Sequence, residues 1–443
     1  MKPRGSPLNM CAVAAVCLLL AVAAGAIEVE LTYQARQEDH EGFFPYGHQG
    51  VRFLFEQPIG EWKLPPFVSE KPLFATIGLG DRRHLLVLDL EDEADEFYTR
   101  LFFDADADGD LTDATIITGD LESFRGRMTV RFERVAATVV LEGNELPYEF
   151  TPSMHVFLFD QDKPALQDLD PHQISFQIST QSAYRGTLTL DGSDYDLWLG
   201  DANANGRFND PFESFEVPGQ DRILGTADSL YLVGDEEDPT RWHRQSLPQH
   251  IVLKDQVFAV EVDIPGAVMR LTPVNEGLAA LTFPAGVDSM QVYQPKTNAV
   301  VTIYPEGEQA PVPPGDYRLL RYRLLRTEGD DAEWHVLASG STASPIVTAS
   351  AGETVPMPLG EPFTPKVTIP HYARQWLEQG SQEARLDFSV WGSGHEIVMY
   401  LSLLRGTTQI KVSNRTSNLP AEPAYRIVSA EGEVVASGAF EYG

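Results

Sequence analysis

Cysteine is almost absent. The 443-residue chain has two, Cys11 and Cys17, both within the first twenty residues. That excludes a disulfide scaffold, and any cysteine-based zinc site, in the rest of the chain. Positive charge is scarce as well: 33 Lys+Arg stand against 65 Asp+Glu, a formal net charge of −32. A chain this acidic repels nucleic-acid phosphates and is a poor nucleic-acid binder. Beyond the N-terminus no stretch is long and apolar enough to span a bilayer, which takes about 20 residues. What is abundant is turn-forming: Gly 35 and Pro 31, with 43% hydrophobic residues. That hydrophobic share supports packed cores rather than disorder. At roughly 100–200 residues per domain, the length predicts two to four domains.

The first 26 residues read as a secretory signal. Lys2 and Arg4 are the only charges before Glu28, and an apolar run from about Cys11 to Ala24 follows them. Ala24-Gly25-Ala26 ends the run in a small-x-small cleavage pattern. At roughly 14 residues the run is short for a membrane anchor. Met10 and Val16, which precede the two cysteines, do not make a lipobox. Removing Lys2 and Arg4 with the signal leaves 31 Lys+Arg against 65 Asp+Glu, a net −34. The mature chain is expected to be exported, to the periplasm, cell surface or exterior, with no membrane span.

Short apolar or alternating runs bounded by Gly, Pro, Asn and Asp recur along that chain. They include Ile27–Leu31, His84–Leu90, Thr99–Phe103, Met128–Phe132, Ala137–Leu141, Gly186–Leu190 and Tyr195–Leu199. Further on come Val257–Val262, Tyr317–Leu325, Ile397–Leu404 and Tyr425–Val428. Such spacing reads as sandwiches or barrels rather than βαβ units. Asp191-Gly192, Glu142-Gly143-Asn144 and Glu431-Gly432-Glu433 are hairpin signals. Only His371–Leu386 looks helical, and only in part. The expected fold is all-β: tandem β-sandwich or β-rich modules with minor helix. The expected modules are 27–162, 163–264, 265–362 and 363–443, the first joint lying in the polar stretch Asp160–Pro171.

One motif occurs twice. Arg100-Leu101-Phe102-Phe103 runs into Asp104-Ala-Asp106-Ala-Asp108-Gly109-Asp110-Leu-Thr112-Asp113. Leu197-Trp198-Leu199-Gly200 runs into Asp201-Ala-Asn203-Ala-Asn205-Gly206-Arg207-Phe-Asn209-Asp210. Each is a strand followed by D-x-[DN]-x-[DN]-G, which suggests two related modules.

Oxygen side chains at alternate loop positions, closed by glycine, suit calcium. Positions one, three and five can turn toward one centre, glycine permits the left-handed bend, and the next carbonyl adds an oxygen. Loop one offers Asp104, Asp106, Asp108 and the carbonyl of Asp110. Loop two offers Asp201, Asn203, Asn205 and the carbonyl of Arg207. Hard oxygens without nearby Cys or His argue against zinc or copper. Magnesium usually keeps several waters and avoids all-protein cages. An EF-hand needs flanking helices and a Glu at position twelve, where Thr115 and Phe212 stand. The closing carboxylates are expected at Asp113 and Asp210, or at Glu213 in loop two, with Thr112 and Asn209 contributing at position nine. Up to two calcium ions are expected, with a stiffening role, since a divalent ion offsets the repulsion among crowded carboxylates.

The hairpin Gly186–Tyr195 with the following Asp201-Ala-Asn-Ala-Asn-Gly-Arg-Phe-Asn-Asp210, and Asp108-Gly-Asp-Leu-Thr-Asp113, resemble segments of secreted, largely uncharacterised proteins of environmental bacteria, the planctomycete lineages especially. The resemblance covers about residues 70–235 at the level of motifs. It implies calcium-loop β modules in an exported bacterial protein and implies no reaction.

No catalytic constellation stands out. None of the ten histidines sits in a paired metal spacing; His395-Glu396 lacks a second histidine. Gly392-Ser393-Gly394 is a turn rather than a nucleophile elbow. Asp235–Asp238 and Asp89–Glu96 read as solvated acid clusters. Arg321 and Arg323, sharing one face of a strand, read as polar surface. Trp198, Trp242, Trp334, Trp376 and Trp391 read as packing residues more than sugar platforms. Pro313-Pro314-Gly315-Asp316-Tyr317 resembles the lead-in to a strand of immunoglobulin-like domains, which hold or present other parts. Asn414-Arg-Thr416 matches a glycosylation acceptor. The sequence therefore favours a non-enzymatic, calcium-stabilised component of the envelope or exterior, acting in adhesion, scaffolding or binding of a protein or glycan partner. The alternative is a secreted carbohydrate-acting hydrolase using carboxylates hidden among the 65 acids.

Overall fold

Alternation of apolar and polar residues can bury one face of a strand only if another sheet or strand layer covers it. In the computed structural model that cover comes from several sheets stacked on shared cores. The model describes residues 25–37, 43–95, 97–114, 116–124, 127–157, 174–216, 221–234, 245–328, 332–381, 385–405, 408–409 and 423–440. The signal segment up to residue 24, the joint 160–171, Asp235–Asp238, Trp242, Thr115 and Asn414 lie outside the described residues. The protein is all-β with several discrete sheets. Among the described residues one α-helix occurs, His371–Glu378, the first half of the stretch read as helical. No described helix is long and apolar enough to cross a membrane.

The nine-stranded sheet runs from His48–Val51 through Ile174–Thr180, Asn144–Phe157, Arg127–Phe132, Ile116–Phe124, Arg100–Phe103 and Arg82–Asp89 to Leu73–Leu79, with Val135–Leu141 paired to Asn144–Phe157. The five-stranded sheet carries Ser229–Gly234, Ser193–Gly200, Ser182–Leu190 and Thr32–Ala35 in that order after Gln245–Ser246. The largest sheet has thirteen strands. It begins with Ile27–Glu30 beside Val268–Val274 and passes through Gly315–Glu328 and Ala332–Ser339 to an edge at Thr364–Thr368. One hydrophobic cluster extends from Val29 to Leu271 and takes residues from all three sheets, among them Leu88, Phe150, Leu199 and Phe258. A second, from Val252 to Leu359, fills the thirteen-stranded region.

The hairpin signals sit where the chain turns. Glu142-Gly143 and Asp191-Gly192 both have positive φ at each residue, +51° and +79°, then +49° and +80°. That is the type I′ geometry that two-residue hairpins favour. Gly392-Ser393-Gly394 is a turn between Asp387–Trp391 and Ile397–Arg405. One surface reading is corrected. Arg323 is only 5% exposed and forms an ion pair with Asp288. Gly315–Glu328 is an inner strand, so Arg323 is flanked in the ladders by Ser289 and Leu337, while Arg321 on the same face is half-buried.

Candidate metal centre

Each loop leaves a buried strand end and turns at once. Loop one follows Arg100–Phe103, and loop two follows Ser193–Gly200. The two backbones share the same bends. Position four is left-handed in both, Ala107 at φ +57° and Ala204 at +52°, and so is position six, Gly109 at +84° and Gly206 at +79°. In both, the position-one carboxylate accepts the amide of position six. Gly109 N–H reaches Asp104 Oδ2 at 3.3 Å, and Gly206 N–H reaches Asp201 Oδ2 at 2.7 Å. Position five accepts the amide of position seven in both, Asp110 to Asp108 Oδ1 and Arg207 to Asn205 Oδ1, each at 2.8 Å. The internal echo in sequence is thus an echo in conformation.

The surroundings differ, and they separate the two chemically. In loop one Asp104, Asp106 and Asp108 bring one carboxylate oxygen each to within 4.8 Å of one another, the one such group of acidic, His or Cys ligands among the described residues. Asp104 is buried at 1% exposure, while Asp106 and Asp108 face solvent. Asp104 Oδ1 is buried and has no hydrogen-bond partner. Burial raises the Asp104 carboxyl above its ordinary range, opposed by the Gly109 amide. A buried, unpaired carboxylate oxygen is costly. A cation in front of it, shared with Asp106 and Asp108, would remove that cost.

The rest of loop one is held from outside. A strap at residues 58–67 packs across it. Lys63 N–H donates to the Gly109 carbonyl and Leu111 N–H to the Lys63 carbonyl, both at 2.9 Å. Trp62, fixed by its Nε1 on the Pro58 carbonyl at 2.9 Å, lies over Gly109. A Cβ at Gly109 would meet the Glu61 carbonyl at 3.0 Å. The Lys63 ammonium pairs with the Asp110 carboxylate, which also accepts from Thr112. Those contacts hold the Asp110 carboxyl down at about 2. Its carboxylate is therefore engaged by Lys63 and Thr112. Asp113 is exposed and stands outside the three-carboxylate group. Behind Asp104, buried His84 places Nδ1 2.7 Å from the Asp104 carbonyl and stacks on Phe103. Burial lowers the His84 pKa, so the ring stays neutral and Nδ1–H donates.

Loop two is closed by its own hydrogen bonds. Asn203 and Asn205 both donate their amides to Asp210 Oδ2, at 2.8 and 2.6 Å. Asp201 Oδ2 also accepts the Tyr148 hydroxyl at 2.8 Å, and Oδ1 accepts the Asn205 amide at 3.2 Å. Asn209 reaches away to the Val262 carbonyl at 3.4 Å, and Glu213 is an exposed residue opening the strand Glu213–Phe215. The structure adds Asp228, which is fully buried and absent from the motif. Its two oxygens accept Ala202 N–H at 3.0 Å and Asp210 N–H at 2.7 Å. Burial pushes Asp201 up to about 7, opposed by the hydrogen bonds from Tyr148, Gly206 and Asn205, and pushes Asp228 well above the carboxylate range, reinforced by the charges of Asp201 and Asp210. In sequence Asp228 is a lone acid between Ala227 and Ser229, with no spacing to mark it. Lys63, Arg82, His84 and Tyr148 gave no local signal either, because each reaches its loop from a distant strand or strap.

No family model, no curated protein and no solved structure matches the chain.

Proposed function

We propose that this is an exported, calcium-stabilised protein of tandem β-sandwich modules, acting as a non-enzymatic binding, adhesion or scaffolding component of the cell envelope or exterior. The observation that carries the calcium reading is the unpartnered Oδ1 of Asp104, sealed at the base of a loop whose Asp106 and Asp108 stand beside it. An all-oxygen set with two further carboxylates suits a hard divalent ion that tolerates irregular geometry, which favours Ca2+ over Mg2+ or zinc. The ion would fix a loop that joins the buried strand Arg100–Phe103 to the strap over it. Its work is mechanical: it holds a surface in shape. Loop two reaches a closed form with asparagine amides in place of an ion.

Thermal unfolding with calcium and with chelator tests this. An ion held at 100 times its Kd adds about 2.7 kcal/mol of stability, so the melting temperature should rise with calcium and fall on chelation. Asp108→Asn should abolish the rise. A melting temperature indifferent to calcium overturns the reading. Turnover of any polysaccharide in a panel would replace the binding role with the hydrolase.

A further inference from the structure

The two loops hang from different sheets, yet one turn touches both. It is the Gly80–Asp81 turn between Leu73–Leu79 and Arg82–Asp89. On one side Arg82 Nη1 donates to the main-chain carbonyl of Asp106 at 2.8 Å, position three of loop one. On the other, Gly80 N–H donates to the carbonyl of Asn205 at 2.7 Å, position five of loop two. Arg207, at position seven, returns two bonds, to the Gly80 carbonyl at 3.1 Å and to Asp81 Oδ1 at 2.6 Å.

The turn is also held from below. Asp81 N–H donates to the Val140 carbonyl at 2.8 Å, and Asp81 Oδ2 accepts Glu142 N–H at 2.7 Å. Gly80 is left-handed at φ +61°, and a Cβ there would lie 2.3 Å from the Val140 carbonyl. Backbone this closely packed transmits a displacement instead of absorbing it. A cation bound to Asp104 Oδ1 and shared with the Asp106 carboxylate would fix the Asp106 side chain, and the Asp106 peptide is the one Arg82 grips.

We infer that the Gly80–Arg82 turn is a positioning element shared by both loops, through which a divalent cation bound in loop one tightens loop two, itself without an ion. This rests on the loop-one reading above. Arg82 is a positioning residue: it touches the carbonyl of a ligand-bearing residue and contributes no ligand. Linkage is reciprocal, so loosening loop two weakens the ion by the same factor, and couplings of this kind run at about 5–150-fold.

Amide hydrogen exchange on the full chain, titrated with calcium chloride and read in peptides covering 104–112 and 201–210, tests this. In the wild type, calcium should slow exchange in both peptides. Asp108→Asn should lose both responses. Arg82→Ala should keep the 104–112 response at several-fold weaker affinity and lose that at 201–210, and Arg82→Lys should restore part of it. Arg207→Ala cuts the other side of the turn and should give the same split, which covers a failure of Arg82→Ala to fold. A 201–210 response that survives in Asp108→Asn or in the arginine variants means loop two answers to an ion of its own, and the inference falls while the loop-one reading stands. No response at 104–112 in the wild type overturns both.

Discussion

Tyr148 donates its hydroxyl to Asp201 Oδ2 at 2.8 Å, with both side chains sealed from solvent. Burial pushes the phenol well above its usual range, so it remains a donor at any physiological pH. The bond ties the long strand Asn144–Phe157 to the first residue of loop two. Tyr148→Phe leaves Asp201 Oδ2 with the Gly206 amide alone. The expected cost is about 1–3 kcal/mol, measured as a lower urea midpoint at unchanged slope. An unchanged midpoint would mean the carboxyl finds another donor.

The pair Asp201 and Asp228 sets a pH dependence. Both fold with a pKa above the ordinary carboxyl value of about 3.9. The native state therefore binds protons more tightly than the unfolded chain. That stabilisation is complete below about 4 and is lost as pH rises through about 7 for Asp201. Chelated protein should lose melting temperature as pH rises from about 4 through about 7 on this account. His84 and His250, whose pKa values burial lowers, act oppositely and cost stability as pH falls below about 6.5. Asp228→Asn should lower stability overall and flatten that loss; an equally steep loss would assign it elsewhere.

Two glycines with the same left-handed backbone should respond differently to alanine. At Gly192, φ +80°, a Cβ meets nothing within 4 Å, so the cost is the backbone strain alone, about 1–2 kcal/mol. At Gly80 the Cβ also collides with the Val140 carbonyl, which adds about 1–3 kcal/mol. Chemical denaturation of the two variants side by side gives the difference. Equal costs would show that the turn can move away from the strand Val135–Leu141.

The Arg323–Asp288 ion pair is buried on the arginine side and 22% exposed on the aspartate side chain. Removing the arginine alone strands a partly buried carboxylate. Arg323→Ala should cost about 3 kcal/mol, the low end for a broken buried pair. Arg323→Met combined with Asp288→Asn should recover most of it. A double variant no better than Arg323→Ala would assign the loss to packing instead of charge.

Local features were legible and non-local ones were not. The loops could be read because their ligands, glycine and preceding strand lie within about a dozen residues. The hairpins could be read because Asp-Gly and Glu-Gly carry their own conformational preference. The strand Asn144–Phe157 was hidden by Pro147 and Pro152, which ordinarily argue against a strand interior. Here Pro147 faces Thr138 and Pro152 faces Ile178 in the ladders. Asp228 reaches the Ala202 amide from 26 residues away, and Arg323 meets Asp288 from 35 away. No periodicity reports such meetings, since only the folded topology makes them.

The strand Ile27–Glu30 pairs with Val268–Val274, and Arg270 bonds Glu28 across a sequence separation of 242 residues. Its neighbours Thr32–Ala35 and His48–Val51 likewise wait for Ser182–Leu190 and Ile174–Thr180. The earliest described segments to be synthesised are thus among the last to find their places. Such long closures slow folding. Until residue 274 is available, Val29 has no partner strand to cover its flank. A nascent chain of this design leaves Ile27–Glu30, Thr32–Ala35 and His48–Val51 open to proteases and to other unpaired strands until their far partners arrive, while Leu73–Leu79 to Asn144–Phe157 pair among themselves.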